Sequence, residues 1–201
     1  MAVTKSKTRK SAKAAVKALA RRQVPGAVKR MGGPKGSDRF AAGKALVATA
    51  ERDATRVYPH FDEIAMLLDS DSKVITWNAM QLIGHMAAVD SSKKVDALLD
   101  AYLGRICGGS LITAANAMQG AARIAQARPD LADRIITAVL PVEKTEYEKP
   151  ECRNVAIGQA LEVFRDIGDA AMTRPDVKRF IKRQRANTRP SVAKLAGEMA
   201  G

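Results

Sequence analysis

The tetrapeptide Asn-Ala-Met-Gln occurs twice, at residues 78–81 and again at 116–119, a separation of 38 residues. A recurrence at about 20 to 50 residues marks units that stack on one another, since a unit of that size cannot bury its apolar face alone. Apolar residues at i, i+4 and i+7 extend the repeat. Ala79, Ile83 and Met86 form one triplet, Ala117, Ala121 and Ile124 the next, and Ile157, Leu161 and Phe164 a third. Ala42, Leu46 and Thr49 make an imperfect first member, so the steps from 42 to 79 to 117 to 157 are 37, 38 and 40 residues. Such a triplet is one stripe of a helix, and the recurrence puts the same stripe on successive stacked helices.

Helical segments separated by short breaks run from Asp38 to the end of the chain. The apolar fraction is 46% but aromatics supply only 4%, which suits close-packed helices better than strands. The segment "LLDSDSKVITWNAMQLIGHMA" (67–87) joins an acidic turn to a β-branched helix start, small residues and a Leu-Ile-Gly run. It resembles the turn and second helix of the HEAT-repeat family, with weaker echoes in "NVAIGQALEVF" (154–164) and "RPSVAKLAGEMA" (189–200). The resemblance implies an all-α fold, a right-handed α-solenoid of about four HEAT-like helix pairs plus a terminal helix, over residues 38–201. Where the family often carries Arg just after the second-helix start, this chain has Thr76 and Ala114.

The net charge of +13 is unevenly placed. Eleven of the 34 Lys and Arg residues precede Asp38, the first acidic residue, leaving 23 cations against 21 carboxylates in the rest. Residues 1–37 therefore read as a basic arm. Within it, "KSAKAAVKALARRQ" (10–23) is helix-prone and puts Lys10, Lys13, Lys17 and Arg21 on one face, with Pro25 and Gly26 expected to end the helix. The Gly- and Pro-rich 31–37 stretch is the expected linker. A Lys and Arg stripe of this kind releases counterions from phosphates without reading bases. A solvated tail and an organellar transit peptide are the other readings of the arm. Its apolar face is mostly Ala, which argues against a lipid surface.

The residues of the second helices that point away from the buried stripe face the concave side of such a solenoid. These are Trp77, Asn78, Gln81 and His85 in one unit, Asn116, Gln119 and Arg123 in the next, and Gln159 in the following one, with Lys44 at the matching place in the first. A row of amides at repeat spacing hydrogen-bonds either the backbone of an extended chain or a phosphodiester, or else fastens neighbouring repeats together. Near the C-terminus, Lys178, Lys182 and Arg185 lie opposite a stripe of Val177, Phe180 and Ile181 and are expected to contact phosphates. Pro141–Lys149 forms an acidic loop between these basic regions. Cys107 and Cys152 have no metal-like spacing and are expected as buried thiols in a reducing, cytoplasmic setting; no metal and no cofactor is expected.

These features read as a non-enzymatic scaffold for a protein partner or nucleic acid, DNA or RNA, with the arm adding electrostatic affinity. The expected location is the cytoplasm or nucleoid, organellar import being the alternative, and no run is apolar enough for a membrane span. The short ending "KLAGEMAG" suggests incompletely capped ends that allow self-association. The alternative function comes from a distant resemblance to HEAT-like DNA alkylation-repair proteins, which implies a glycosylase. That chemistry needs a groove carboxylate beside aromatic residues, a set that maps onto no matched positions here.

Overall fold

A computed structural model describes residues 16–34 and 36–200. Eleven α-helices appear among them, with no β-strand: α1 (Val24–Gly32), α2 (Ser37–Arg52), α3 (Phe61–Met66), α4 (Lys73–Met86), α5 (Lys94–Leu103), α6 (Leu111–Ala127), α7 (Ala132–Val139), α8 (Pro150–Ile167), α9 (Asp169–Met172), α10 (Pro175–Gln184) and α11 (Pro190–Met199). Short 3-10 turns extend or introduce several of them. Pro150, Pro175 and Pro190 start α8, α10 and α11, where the missing N–H is not needed and the ring fixes a helical φ. None of these described helices is long and apolar enough to cross a membrane.

The helices pair as α1–α2, α3–α4, α5–α6, α7–α8 and α10–α11, with α9 a single turn between the last two pairs. Within the pairs, α2, α4, α6, α8 and α11 stack directly on one another as an inner row. The apolar triplets are what they stack with: Leu46, Ala79, Ile83, Met86, Ala117, Ala121, Ile124, Leu161 and Phe164 are fully or almost fully buried. The shorter outer helices contribute Phe61, Ile64, Val95, Leu99, Ile135, Val139, Val177 and Phe180 to the same continuous core. Phe164 and Phe180 meet edge to face at 5.5 Å, tying α8 to α10.

The tightest point of the stack is the crossing of α4 and α6. A Cβ placed on Gly84 would lie 2.8 Å from the Gly120 Cα, so the two backbones touch. Gly120 also clears the way for Tyr102 of α5, whose buried hydroxyl donates to the Met80 carbonyl at 3.1 Å. Burial pushes the Tyr102 hydroxyl pKa upward, keeping it a neutral donor. Outer neighbours are held by longer reaches. Arg128 forks onto Asp96 of α5 at 2.9 and 3.1 Å while also gripping Asp130, and Arg174 bridges Asp133 and Asp176 in the same way. Lys94 on Asp62, Arg105 on Asp69 and Arg134 on Asp100 continue the ladder. The stack thus has an inner row, with α4 and α6 in backbone contact, and an outer row joined through long side chains.

Two expectations need correction. The helix expected over Lys10–Gln23 does not extend through its described part: Val16–Ala20 has no regular structure, and Lys10 and Lys13 lie outside the described residues. Pro25 and Gly26 do not stop a helix; they occupy the first turn of α1, where Pro fits. Val24, Ala27, Val28 and Met31 of α1 are buried against α2, so this part of the arm belongs to the core. Leu19 is anchored as well, its N–H donating to Thr49 and its carbonyl accepting from Arg56. The second correction concerns the thiols: Cys107 is exposed in the turn after α5, and Cys152 is only half-buried.

The Gly120 contact yields a direct test. Gly120→Ala would put a methyl 1.9 Å from the Tyr102 hydroxyl and 2.9 Å from the Met80 carbonyl, an overpacking expected to cost about 2–4 kcal/mol. Gly197→Ala in α11 meets nothing within 4 Å and should gain up to about 1 kcal/mol from helix propensity. Urea unfolding of both variants checks the contrast, and equal midpoints would contradict it.

Candidate concave groove

Each inner helix presents one open stripe, and the stripes are in register. Taking the first buried residue of each apolar triplet as reference, the residues two before, two after and six after it lie on one face, since steps of four keep to a single helix side. In α4 these are Trp77, Gln81 and His85; in α6 they are Ala115, Gln119 and Arg123. All six are half-buried or exposed, and Gln81, His85, Gln119 and Arg123 stand between buried neighbours on both flanks. In α2 the stripe is Phe40, Lys44 and Ala48; in α8 it begins with Val155 and Gln159 and closes at buried Val163. The groove thus has an apolar row, an amide row and, on α4 and α6, a row of nitrogen bases.

The structure separates the expected amides into two kinds. Gln119 is exposed, and Gln159 lines an open groove of about 400 Å³ between α8 and α11 together with Val155, Glu162 and Arg165. Asn78 and Asn116 sit one position off the stripe. The Asn78 amide lies over Gly43, where a Cβ would come within 2.4 Å of its Nδ2. Asn116 accepts from the Gln81 amide at 2.8 Å and donates to the Ile112 carbonyl. Trp77 donates its indole N–H to Thr113 at 3.0 Å, across the α4–α6 boundary. Trp77, Gln81 and Asn116 therefore fasten adjacent repeats, and their solvent-facing edges form the groove floor.

His85 and Arg123 occupy the same end of the stripe. Burial, followed by the Arg123 guanidinium, pushes the His85 pKa below its ordinary value, and Glu51 at the end of α2 opposes this. The Arg123 Nη1 is buried and has no hydrogen-bond acceptor. The apolar row of Phe40, Ala115 and Val155 escaped the reading from sequence. Its signal was available, because those residues stand two before each triplet, in line with Trp77.

The basic residues form separate surfaces. Lys178 and Lys182 on outer helix α10 and Arg185 just after it are exposed, beside Met172, Ile181 and Met199. Other cations of this region are committed: Arg174 to Asp133 and Asp176, Arg183 to Glu143, and Arg189 to Glu151. Lys17 and Arg21 are exposed ahead of α1. The acidic loop is also partly consumed, Glu143 by Arg183 and Gln184 and Glu148 by the Leu111 N–H at the start of α6.

Three solved structures share this architecture. An engineered protein from the Northeast Structural Genomics Consortium superposes with a TM-score of 0.54 at 14% identity, covering 88% of this chain and 77% of the other. A designed armadillo repeat protein in complex with the peptide (KR)4 gives 0.56 at 14% identity, covering 92% and 89%. A second designed armadillo repeat protein gives 0.52 at 18% identity, covering 87% and 79%. No protein-family model and no curated protein matches the chain. At these identities the likeness is one of fold: the chain is a helical-repeat solenoid of the HEAT and armadillo type.

The lowered His85 pKa fixes the sign of a pH effect. The unfolded imidazole takes up its proton near pH 6.5 and the folded one only at lower pH, so the unfolded state binds more protons in between. Stability should therefore fall as pH drops below about 6.5. The urea midpoint of the native protein is expected to decrease from pH 7.5 to 5.5, and that of His85→Gln to decrease less. Equal acid loss in both would show that His85 does not contribute.

Proposed function

We propose that this protein is a non-enzymatic repeat scaffold whose concave groove binds an extended segment of a protein partner, with the exposed cations outside the groove adding affinity for an anionic surface. The observation that carries the proposal is the stripe of Trp77, Gln81 and His85 repeated in register as Ala115, Gln119 and Arg123. Apolar rows take side chains, amides exchange hydrogen bonds with a peptide backbone, and repetition at helix spacing suits a chain running across the helices. A designed armadillo protein of the same fold holds a peptide, (KR)4, which is consistent with this use of the architecture.

Nucleic acid is the second reading, and it rests on a different surface: Lys178, Lys182 and Arg185 on and beside α10, with Lys17 and Arg21 ahead of α1. A polyanion needs positive charge along its whole path. Glu162 lines the groove on α8 and Glu51 acts on His85 beside Arg123, a mixed pattern better matched to a peptide. No residue is assigned a catalytic role, and release of a base from alkylated duplex DNA would overturn that part of the proposal.

The two surfaces are tested separately in the full chain. Binding of fluorescein-labelled random decapeptides is expected to fall at least about tenfold in the double variant Gln119→Ala and Gln159→Ala. It should persist when Lys10, Lys13, Lys17 and Arg21 are all changed to Gln. Binding to a labelled single strand or duplex should show the reverse pattern and weaken steeply with salt. Peptide binding indifferent to the groove substitutions would contradict the proposal.

A further inference from the structure

We propose that Arg123, backed by His85, is the receptor for a single carboxylate side chain on the extended segment that the groove binds, an inference that rests on the peptide reading above. Arg123 differs from the arginines that bridge neighbouring helix pairs. Arg128, Arg134, Arg174, Arg183 and Arg189 each hold a carboxylate. Among the described residues no carboxylate lies within ion-pair distance of Arg123, and its Nη1 is buried without an acceptor. A buried guanidinium N–H left unpaired carries the full cost of its desolvation, which an arriving carboxylate relieves. Arg123 is half-buried on the open stripe, so an acceptor arriving from outside pairs with its guanidinium once the side chain turns Nη1 outward.

His85 complements it. Burial, and then the neighbouring Arg123 charge, favour the neutral imidazole. A neutral ring still offers one N–H, and it adds no second full charge to the site. The pair therefore matches a monovalent carboxylate better than a doubly charged phosphate. The flanks point the same way. Glu51 lies close enough to His85 to affect its titration, and Glu162 lines the groove on α8 beside Gln159. A nucleic-acid backbone crossing the inner row would place charge after charge beside these carboxylates, whereas a single Asp or Glu presents one charge, at Arg123.

The stripe also says where that acid falls in the partner. The apolar row and the base row are eight residues apart on each helix, about 12 Å along its axis, with the amide row midway. A peptide backbone laid over the amides sends successive side chains to opposite sides. One set reaches the apolar row at Trp77 and Ala115, and the other reaches His85 and Arg123. Adjacent inner helices at about 8–10 Å are spanned by roughly three extended residues. The partner is thus an extended segment in which an acidic residue follows or precedes an apolar residue of opposite facing.

The test measures full-length protein against pools of fluorescein-labelled decapeptides in which one position at a time is fixed as Glu, Gln or Lys. The native protein should prefer Glu over Gln by about tenfold at one position. Arg123→Gln should abolish that preference while leaving those at other positions, and Arg123→Glu should invert it toward Lys. Melting curves confirm that both variants are folded, and since the two differ in charge but not in length, a general loss of binding is distinguishable from a change of preference. Peptides bound without any Glu preference, or with one that neither variant alters, would overturn the carboxylate receptor and leave the groove reading intact. If no pool binds, the peptide reading fails and takes this inference with it. An oligonucleotide whose affinity falls on Arg123→Gln would reassign the position to phosphate.

Discussion

The contact between Gly84 and Gly120 sets the geometry on which everything else in this solenoid rests. With no side chain on either residue the backbones of α4 and α6 meet, and the Tyr102 hydroxyl reaches through the space beside Gly120 to the Met80 carbonyl. That hydrogen bond joins an outer helix of one pair to the inner helix of the pair before it. Close packing joins the inner helices on this side, and long ion pairs join the outer helices on the other. The open stripes are consequently brought side by side, and a groove exists only because they are.

The outer row is held by a motif that repeats with the fold. Arg128-Pro129-Asp130 and Arg174-Pro175-Asp176 each close an Arg onto its own Asp two residues on, then extend the same guanidinium to a carboxylate of the preceding pair. The proline turns the chain into the next outer helix, and the Asp fixes the guanidinium in place. In the Asp96, Asp130 and Asp176 carboxyls, hydrogen bonds from these arginines hold the pKa below the ordinary value. The ladder is thus complete above about pH 4 and weakens as pH falls below that.

Much of this was legible in the chain. The 37- to 40-residue period and the apolar triplets gave the inner row, because a buried stripe leaves a pattern that local composition cannot hide. Thr76 and Ala114 stand where the HEAT-repeat family often carries Arg, and the ladder lies instead on the outer helices, where the Arg-Pro-Asp pairs are 46 residues apart and do not share the 38-residue step. The α1 helix was masked by charge. Val24, Ala27, Val28 and Met31 have helical apolar spacing, yet the surrounding Lys and Arg and the Pro-Gly pair drew attention to an arm. Tyr102 reaching Met80 past Gly120 depends on three separate elements and leaves no local trace. Of the groove residues, the stripe positions were readable, but only packing distinguishes Gln119 and Gln159, which face the opening, from Asn78, which covers Gly43.

The same stripe accounts for how a fold with no catalytic constellation can be specific. In the proposed function, repetition would supply backbone recognition and departures from repetition selectivity: Lys44 replaces Gln in the first unit, and His85 and Arg123 stand where Ala48 and Val163 stand elsewhere. The most direct measurement is a 15N-correlated NMR spectrum of the intact protein titrated with the decapeptide pool, because the side-chain amides of Gln119 and Gln159 report individually. The account predicts that these two resonances move together with the Arg123 Nε–H, while the Asn78 amide over Gly43 moves least. Shifts confined to Lys178, Lys182 and Arg185 or to residues before α1, with the Gln119 and Gln159 amides unmoved, would contradict it.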